Sequence, residues 1–174
     1  IGRLFVEKVS IIIPAKDEEV GLRYLLENFN SSNLGEKFDI DFIFVIDGRT
    51  SDASREIASQ FSEKIIDQQE THGKGAAVRQ AIEIWKKNKT DKTVFLDADG
   101  SYSFESVHRV IVALDGGADI ISGSRFLEGG GRPEGMSRLH NFGNRALSKI
   151  SSIRNGRQIS DLCTGLWGFT QDAL

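Results

Sequence analysis

The chain has 174 residues, a formal net charge of −3 and a single cysteine, Cys163. That length suits one domain with a sizeable core, the mild acidity gives no reason to expect nucleic acid as the main partner, and a lone cysteine excludes an internal disulfide or a cysteine-built metal site. The longest apolar runs, such as Val9 to Pro14 and Phe42 to Ile46, fall far short of the roughly 18 residues that span a bilayer, and no signal-peptide pattern opens the sequence.

Strand-like and helix-like runs alternate along the chain. Val9 to Ile13 reads as a first strand, Glu18 to Asn30 as an amphipathic helix, Ile40 to Ile46 as a second strand and Ser51 to Phe61 as a second helix. Lys64 to Ile66 is a short strand, Gly75 to Lys87 a helix, Thr93 to Leu96 a buried strand, Phe104 to Leu114 a helix, and Asp119 to Ser122 another strand. Such β-α alternation predicts an α/β domain with a mostly parallel sheet covered on both faces. After Arg125 the rhythm changes: Gly129 to Pro133 reads as a lid or acceptor loop, or else a plain connection, before a helix from Met136 to about Ile153. Thr170 to Leu174 begins to look like a capped helix as the sequence stops, and Ile1 is not an initiator methionine. The expectation is one catalytic domain over 1–174, truncated at its C-terminus, in a reducing cytoplasm, with any membrane anchor or further domain beyond Leu174.

The most informative segment is Val94-Phe95-Leu96-Asp97-Ala98-Asp99-Gly100, an apolar strand ending in two carboxylates one residue apart. Continued strand geometry would place Asp97 and Asp99 on one face, with Gly100 free to turn the chain away. Carboxylates at the carboxyl end of a parallel strand suit Mg²⁺ or Mn²⁺ bridging to phosphate; the plainer reading is an acidic turn capping the next helix. Other loops carry related chemistry. In Pro14-Ala15-Lys16-Asp17-Glu18-Glu19 an acidic residue can cap the following helix. In Asp47-Gly48-Arg49-Thr50-Ser51-Asp52, Asp52 reads as structural and Asp47 as a hydrogen-bonding group for a base or ribose. His72-Gly73-Lys74-Gly75 sets a lysine at a helix start, where backbone amides favour anions, although it lacks the spacing of a Walker P-loop. Ser122-Gly123-Ser124-Arg125 follows the next strand.

In this order the motifs resemble family 2 glycosyltransferases of the GT-A fold, in particular the dolichyl-phosphate mannose synthase type. Pro14 to Glu19 is similar to that family's Pro-x-x-Asn-Glu-Glu loop, and Asp47 to Asp52 to its Asp-Gly-x-Ser-Thr-Asp variant. Gly73-Lys74-Gly75, Asp97-Ala98-Asp99-Gly100, Gly123-Ser124-Arg125 and the late Ser160-Asp161-Leu162-Cys163-Thr164-Gly165 segment follow where that family has them. The resemblance implies a Rossmann-like GT-A domain with a nucleotide-sugar donor, of GDP-mannose or UDP-glucose type, across the sheet's carboxyl edge. Pro14, Ala15, Glu18 and Asp47 would contact the nucleoside; Asp97, Ala98 and Asp99 would lie at the diphosphate, with Asp97 and Asp99 on a Mg²⁺ or Mn²⁺ ion and Lys74 nearby. Arg125 would meet the donor phosphates or the acceptor. The chain departs from the pattern at Ser101, where some members have a metal-binding Gln, and at Leu166-Trp167, where many have Phe-Arg.

The implied reaction is inverting transfer to a polyprenyl or dolichyl phosphate. An acceptor hydroxyl would need a general base, for which Asp161 is the first candidate beside an equally open role bracing a turn. Arg125, Arg132, Arg138, Arg145, Lys149, Arg154 and Arg157 make a local basic excess that suits phosphate and anionic headgroups, Arg125 and Arg138 foremost; a solvated helix face is the alternative. Trp167 reads as core or acceptor-pocket lining, Trp85 and the phenylalanines as packing. His72 and His140 show no zinc or triad pattern. Competing readings are a family 2 enzyme acting on a glycan or soluble hydroxyl, and a non-catalytic sugar-nucleotide-binding protein.

Overall fold

A computed structural model of the chain describes residues 6–68, 72–87, 89–126 and 137–174. Six strands form one sheet in the order β3-β2-β1-β4-β6-β5. At its centre β1 (Lys8–Ala15) runs parallel to β2 (Asp39–Asp47) and to β4 (Lys92–Leu96), and β3 (Ile65–Gln68) adds a parallel edge to β2.

Alternation along these strands divides the core between the two faces of the sheet. Ile11, Ile13, Phe44, Ile46, Val94 and Leu96 belong to one cluster, together with Leu22, Leu25 and Leu26 of α1 (Glu19–Ser31) and Val107 and Ile111 of α5 (Phe104–Asp115). Ile12, Ile43, Val45, Ile66 and Phe95 face the other way, onto Ala77 and Ala81 of α4 (Lys74–Trp85). A sheet apolar on both faces must be covered on both, which is the parallel α/β solution the alternating pattern predicts. A short α2 (Leu34–Lys37) leads into β2, and α3 (Ser54–Ser59) covers the first face with Ile57 and Ala58.

Two strands lie beyond β4. β5 (Ile120–Ser122) does not pair with it; β6 (Leu166–Thr170) is wedged between, antiparallel to both. The sequence pattern predicts no strand here. Gly168 sits at the middle of β6 because a Cβ there would run into Val110 of α5, and a central glycine hides a short strand from any propensity argument. Three other boundaries move. α3 begins at Ser54 rather than Ser51 because Asp52 occupies the turn before it, accepting the Ser54 N–H at 3.0 Å and its hydroxyl at 2.6 Å. The helix expected from Met136 is α6 (Arg138–Asn155), and the predicted helix at the end is one 3₁₀ turn, Gln171–Ala173. The glycine loop at 129–133, Arg132 and Met136 lie outside the described residues.

Trp85 is buried with its indole N–H on Thr90, while Phe29, Phe42, Phe44 and Phe104 pack edge-on or stacked as expected. Phe142 departs from that expectation and is 73% exposed on α6. Trp167 packs under the sheet, its indole N–H donating to the Thr164 carbonyl at 3.2 Å, rather than lining a cavity. No helix among the described residues is long and apolar enough to cross a membrane.

Candidate functional site

The carboxyl ends of β1, β2, β3 and β4 meet around a cavity of about 370 Å³. Its wall includes Pro14, Ala15, Glu18, Asp47, Lys74, Asp97, Ala98 and Asp99, so the structure gathers every residue expected at the donor, together with Arg49, Gln68 and Gly73. An open α/β sheet presents its ligand crevice at this edge.

β4 stops at Leu96, so Asp97 and Asp99 stand in the turn beyond it rather than on a continuing strand. Gly100 makes the turn with φ +77°, a conformation open to glycine at little cost. The Asp99 carboxylate accepts the Ser101 N–H at 2.9 Å, so Ser101 orients that carboxylate through its backbone. Asp97 is fixed from the opposite side. Its N–H donates to the Gly165 carbonyl at 3.1 Å, and a Cβ on Gly165 would overlap the Asp97 carboxylate. The Lys74 ammonium pairs with Asp97 Oδ1. Gly165, the last residue of the Ser160-to-Gly165 segment, is therefore part of the site through its backbone and its lack of a side chain.

Glu18 faces this charge from the start of α1. Burial first, and then the neighbouring charges of Asp99 and Asp97, raise its pKa above the ordinary glutamate value. Asp97 and Asp99 thus fit a divalent cation. Among the described residues there is no cluster of three or more ligating side chains, so the ion's remaining positions would fall to phosphate oxygens and water, the usual arrangement for Mg²⁺ with a nucleotide.

At the other end of the cavity Asp47 is 3% exposed and clamped by Arg49, whose Nε and Nη2 reach its two oxygens at 2.9 and 2.8 Å. These hydrogen bonds, outweighing burial, hold the Asp47 carboxyl far below the usual range. Asp52 is structural, accepting the Glu19 N–H at 2.8 Å at the start of α1. Asp17 ties the first two loops together: with a positive φ of 52° it accepts the Ser51 N–H at 2.7 Å.

A second, larger cavity of about 1050 Å³ adjoins the first and shares Asp99 with it. Arg125, Asn144, Leu139, His140, Leu147 and Cys163 line it. Arg125 is held by Asp161 through Nε at 2.8 Å and Nη2 at 3.0 Å, and its Nη2 also donates to the Cys163 carbonyl at 2.9 Å. Asn144 adds a bond to Asp161 Oδ1 at 2.9 Å. Burial alone would raise the Asp161 carboxyl, yet the donors from Arg125 and Asn144 prevail and lower it. A carboxylate with both oxygens engaged and no side-chain exposure is poorly placed to take a proton. Of the two alternatives for Asp161, the geometry favours the brace, its carboxylate holding Arg125 and Asn144. Arg138 is exposed in the first turn of α6, next to Leu139 and His140 of the cavity wall. The sequence offers little signal for Arg49 or Asn144: Arg49 sits in a motif whose acids carry its chemistry, and Asn144 belongs to no motif.

The family described as Glycosyl transferase family 2 matches residues 10–174. The chain is 27% identical over 167 residues to "Glycosyltransferase AglJ" of Haloferax volcanii, covering 96% of this chain and 52% of that protein. It is 32% identical over 127 residues to "Dolichol-phosphate mannosyltransferase" of Pyrococcus furiosus, covering 71% of this chain and 34% of that one. The chain thus spans about half the length of these relatives, or less. Glucosyl-3-phosphoglycerate synthase from Mycobacterium tuberculosis, solved with Mn²⁺, UDP-glucose and glycerol 3-phosphate, superposes with a TM-score of 0.68 at 14% identity, over 95% of this chain and 57% of that one. The mannosyltransferase PcManGT of Pyrobaculum calidifontis, solved with GDP-mannose and Mn²⁺, gives 0.59 at 16% identity, over 97% and 46%. These likenesses show the fold, which is GT-A.

Proposed function

The chain belongs to glycosyl transferase family 2, and from that premise we propose that it carries the catalytic site of an inverting hexosyltransferase that moves a sugar from a nucleotide-sugar donor to a polyprenyl phosphate. One observation carries the reading: Asp99 belongs at once to the cavity that holds the donor set and to the larger one that Arg125 enters. A diphosphate leaving group at Asp97 and Asp99 then lies beside an acceptor in the second cavity.

In a single displacement the acceptor oxygen bonds to the anomeric carbon as the carbon–oxygen bond to the diphosphate breaks, and the configuration inverts. Asp97 and Asp99 would hold Mg²⁺ or Mn²⁺, which when bound offsets charge on the departing diphosphate. Lys74, already paired with Asp97, supplies a second positive charge beside it. A phosphate-oxygen acceptor is ionised near neutral pH and needs no base, in keeping with an Asp161 committed to Arg125. The Arg125 guanidinium suits the acceptor phosphate, and Leu139 and Leu147 offer apolar wall for the adjoining isoprenoid. The Pyrococcus relative, named for a dolichol-phosphate acceptor, supports this class. Arg138, exposed and adjacent in sequence to Leu139 and His140 of that wall, would assist with the acceptor rather than the donor.

The test is product analysis with UDP- and GDP-hexoses, Mn²⁺ and a short-chain polyprenyl phosphate, beside the matching polyprenol. A glycosyl phosphodiester whose formation is lost in Asp97→Ala and Asp99→Ala is the expected result, and Arg138→Ala should weaken acceptor use more than donor binding. Transfer to the alcohol and not to the phosphate would instead favour a hydroxyl-acceptor enzyme.

A further inference from the structure

The Asp47 carboxylate at the end of the donor cavity has an unusual set of neighbours. Its Oδ1 accepts the Arg49 backbone N–H at 2.9 Å and the Arg49 Nε at 2.9 Å, and His72 Nδ1 stands 3.3 Å away. Its Oδ2 accepts Arg49 Nη2 at 2.8 Å. A carboxylate offers about four lone-pair sites across its two oxygens. The Arg49 backbone N–H and Nε fill Oδ1 and Nη2 sits on Oδ2, so about one acceptor position remains, on Oδ2. With the side chain 4% exposed, water has little access to it.

Nucleobases differ in what they ask of such a group. Guanine offers two adjacent donors, N1–H and N2–H, and a carboxylate reads both only when each oxygen presents a free lone pair to that edge. Uracil offers one imide N–H, flanked by carbonyls. Its N–H needs one acceptor position, and its carbonyls call for donors. The clamp uses two of the five N–H donors that an arginine side chain has, which leaves the half-exposed Arg49 guanidinium able to meet a flanking carbonyl.

We propose that Arg49, by clamping Asp47, makes the cavity select a nucleotide with a single imide N–H on its pairing edge, uracil or its 5-methyl homologue thymine, over guanine. The inference rests on the donor-site reading above and deepens it by naming the base. Arg49 acts here as a specificity residue through Asp47. For guanine to bind as a paired-donor ligand it must break the Arg49 fork or leave one of its own N–H groups unpaired. Either route costs binding where uracil pays nothing, because a buried donor without a partner forfeits its hydration.

Isothermal titration of the protein with UDP, GDP, dTDP and dGDP in the presence of Mn²⁺ tests the proposal, since each imide nucleotide is compared with a guanine nucleotide on the same sugar. Preference of about tenfold or more for UDP over GDP and for dTDP over dGDP is expected. Either order of UDP and dTDP supports the reading, and the tighter one identifies the source of the imide. In Arg49→Ala the backbone N–H stays on Oδ1 while the fork is lost, which frees one lone pair on each Asp47 oxygen, and the two ratios should fall toward one while the thermal midpoint shows the variant folded. Arg49→Lys, which lacks the fork, should fall between. Tighter or equal binding of GDP by the unaltered protein would overturn the assignment while leaving the donor site standing, as would ratios unchanged in Arg49→Ala. Binding of none of the nucleotides would overturn the donor site itself and the inference with it.

Discussion

Helices α5 and α6 flank the larger cavity, the one Arg125 lines, and begin alike. Ser103 and Ser137 each cap their helix by accepting the backbone N–H three residues on, from Ser106 and His140, and both helices carry apolar residues at helical spacing. Their orientations are opposite. α5 buries Val107, Val110, Ile111 and Leu114 against the sheet, whereas α6 buries only Asn144 and Ser148 and exposes Leu139, Phe142, Leu147, Ile150 and Ile153. Polar bonds hold α6 in place. Asn144 reaches Asp161, Ser148 accepts the Leu162 N–H at 2.9 Å, and Ser152 accepts the Ile159 N–H at 2.8 Å. Amphipathic spacing therefore identifies a helix without saying which side faces inward; here a buried ion pair decides.

The most damaging substitution should fall at Asp161. Asp161→Ala leaves Arg125, 16% exposed, without its partner and removes the Asn144 anchor of α6. A loss of about 3–5 kcal/mol in urea unfolding is expected, as for other buried pairs broken from one side. A loss below about 1 kcal/mol would mean that α6 is held by something else. On the α5 side Ile111→Ala should cost about 2–5 kcal/mol by ordinary cavity formation, with Arg125 undisturbed and donor binding retained.

Acid should act unevenly on the two helices. The Asp161 carboxyl is lowered in the folded state, so it contributes stability above the ordinary aspartate pKa of about 3.9, and that contribution is lost as the pH falls through its folded value. Asp47 has the same sign. Glu18 has the opposite one: its pKa is raised, so its ionisation opposes the fold as the pH climbs past the usual glutamate value. Unfolding followed between pH 6 and about pH 3 should show stability falling in acid. Asp161→Asn should flatten the fall, and Ile111→Ala should leave its shape unchanged.

The α5 half of the molecule was legible in the sequence. Strand and helix runs from Val9 to Leu114 lie within a few residues of the observed elements, because a sheet buried on both faces and helices buried on one impose strong periodicity. The smaller cavity was legible for a related reason: each of its loops follows a strand of the sheet, so strand order alone brings Asp47, Lys74, Asp97 and Asp99 to one edge. Legibility fades after Arg125. β6 is five residues long with Gly168 at its centre, and its place between β4 and β5 depends on a reversal of direction that no local pattern records. Asp161 read equally as a base or a brace, since only its spatial partners, Arg125 and Asn144, distinguish the two. Arg49 is hidden for the same reason: a cation two residues from an acid looks like a solvated turn unless the carboxylate is buried, as Asp47 is.

The smallest expected effect concerns the outward face of α6, and it is informative because it should be small. Phe142 and Ile150 are 73% and 62% exposed, so neither loses an apolar environment when replaced. Phe142→Ser and Ile150→Ser should each change the unfolding free energy by no more than about 0.5 kcal/mol, against the several expected for Ile111→Ala one helix away. A cost above about 2 kcal/mol for either would show that the face is covered in solution. Dilution then separates the sources of cover. A penalty that varies with protein concentration points to a second copy of the chain, because association stabilises by mass action; one independent of concentration points to packing within a single chain. With the small value, the inside-out helix stands: α6 is anchored by its polar row, and its apolar side is left available next to the cavity that Arg125, Leu139 and Leu147 line.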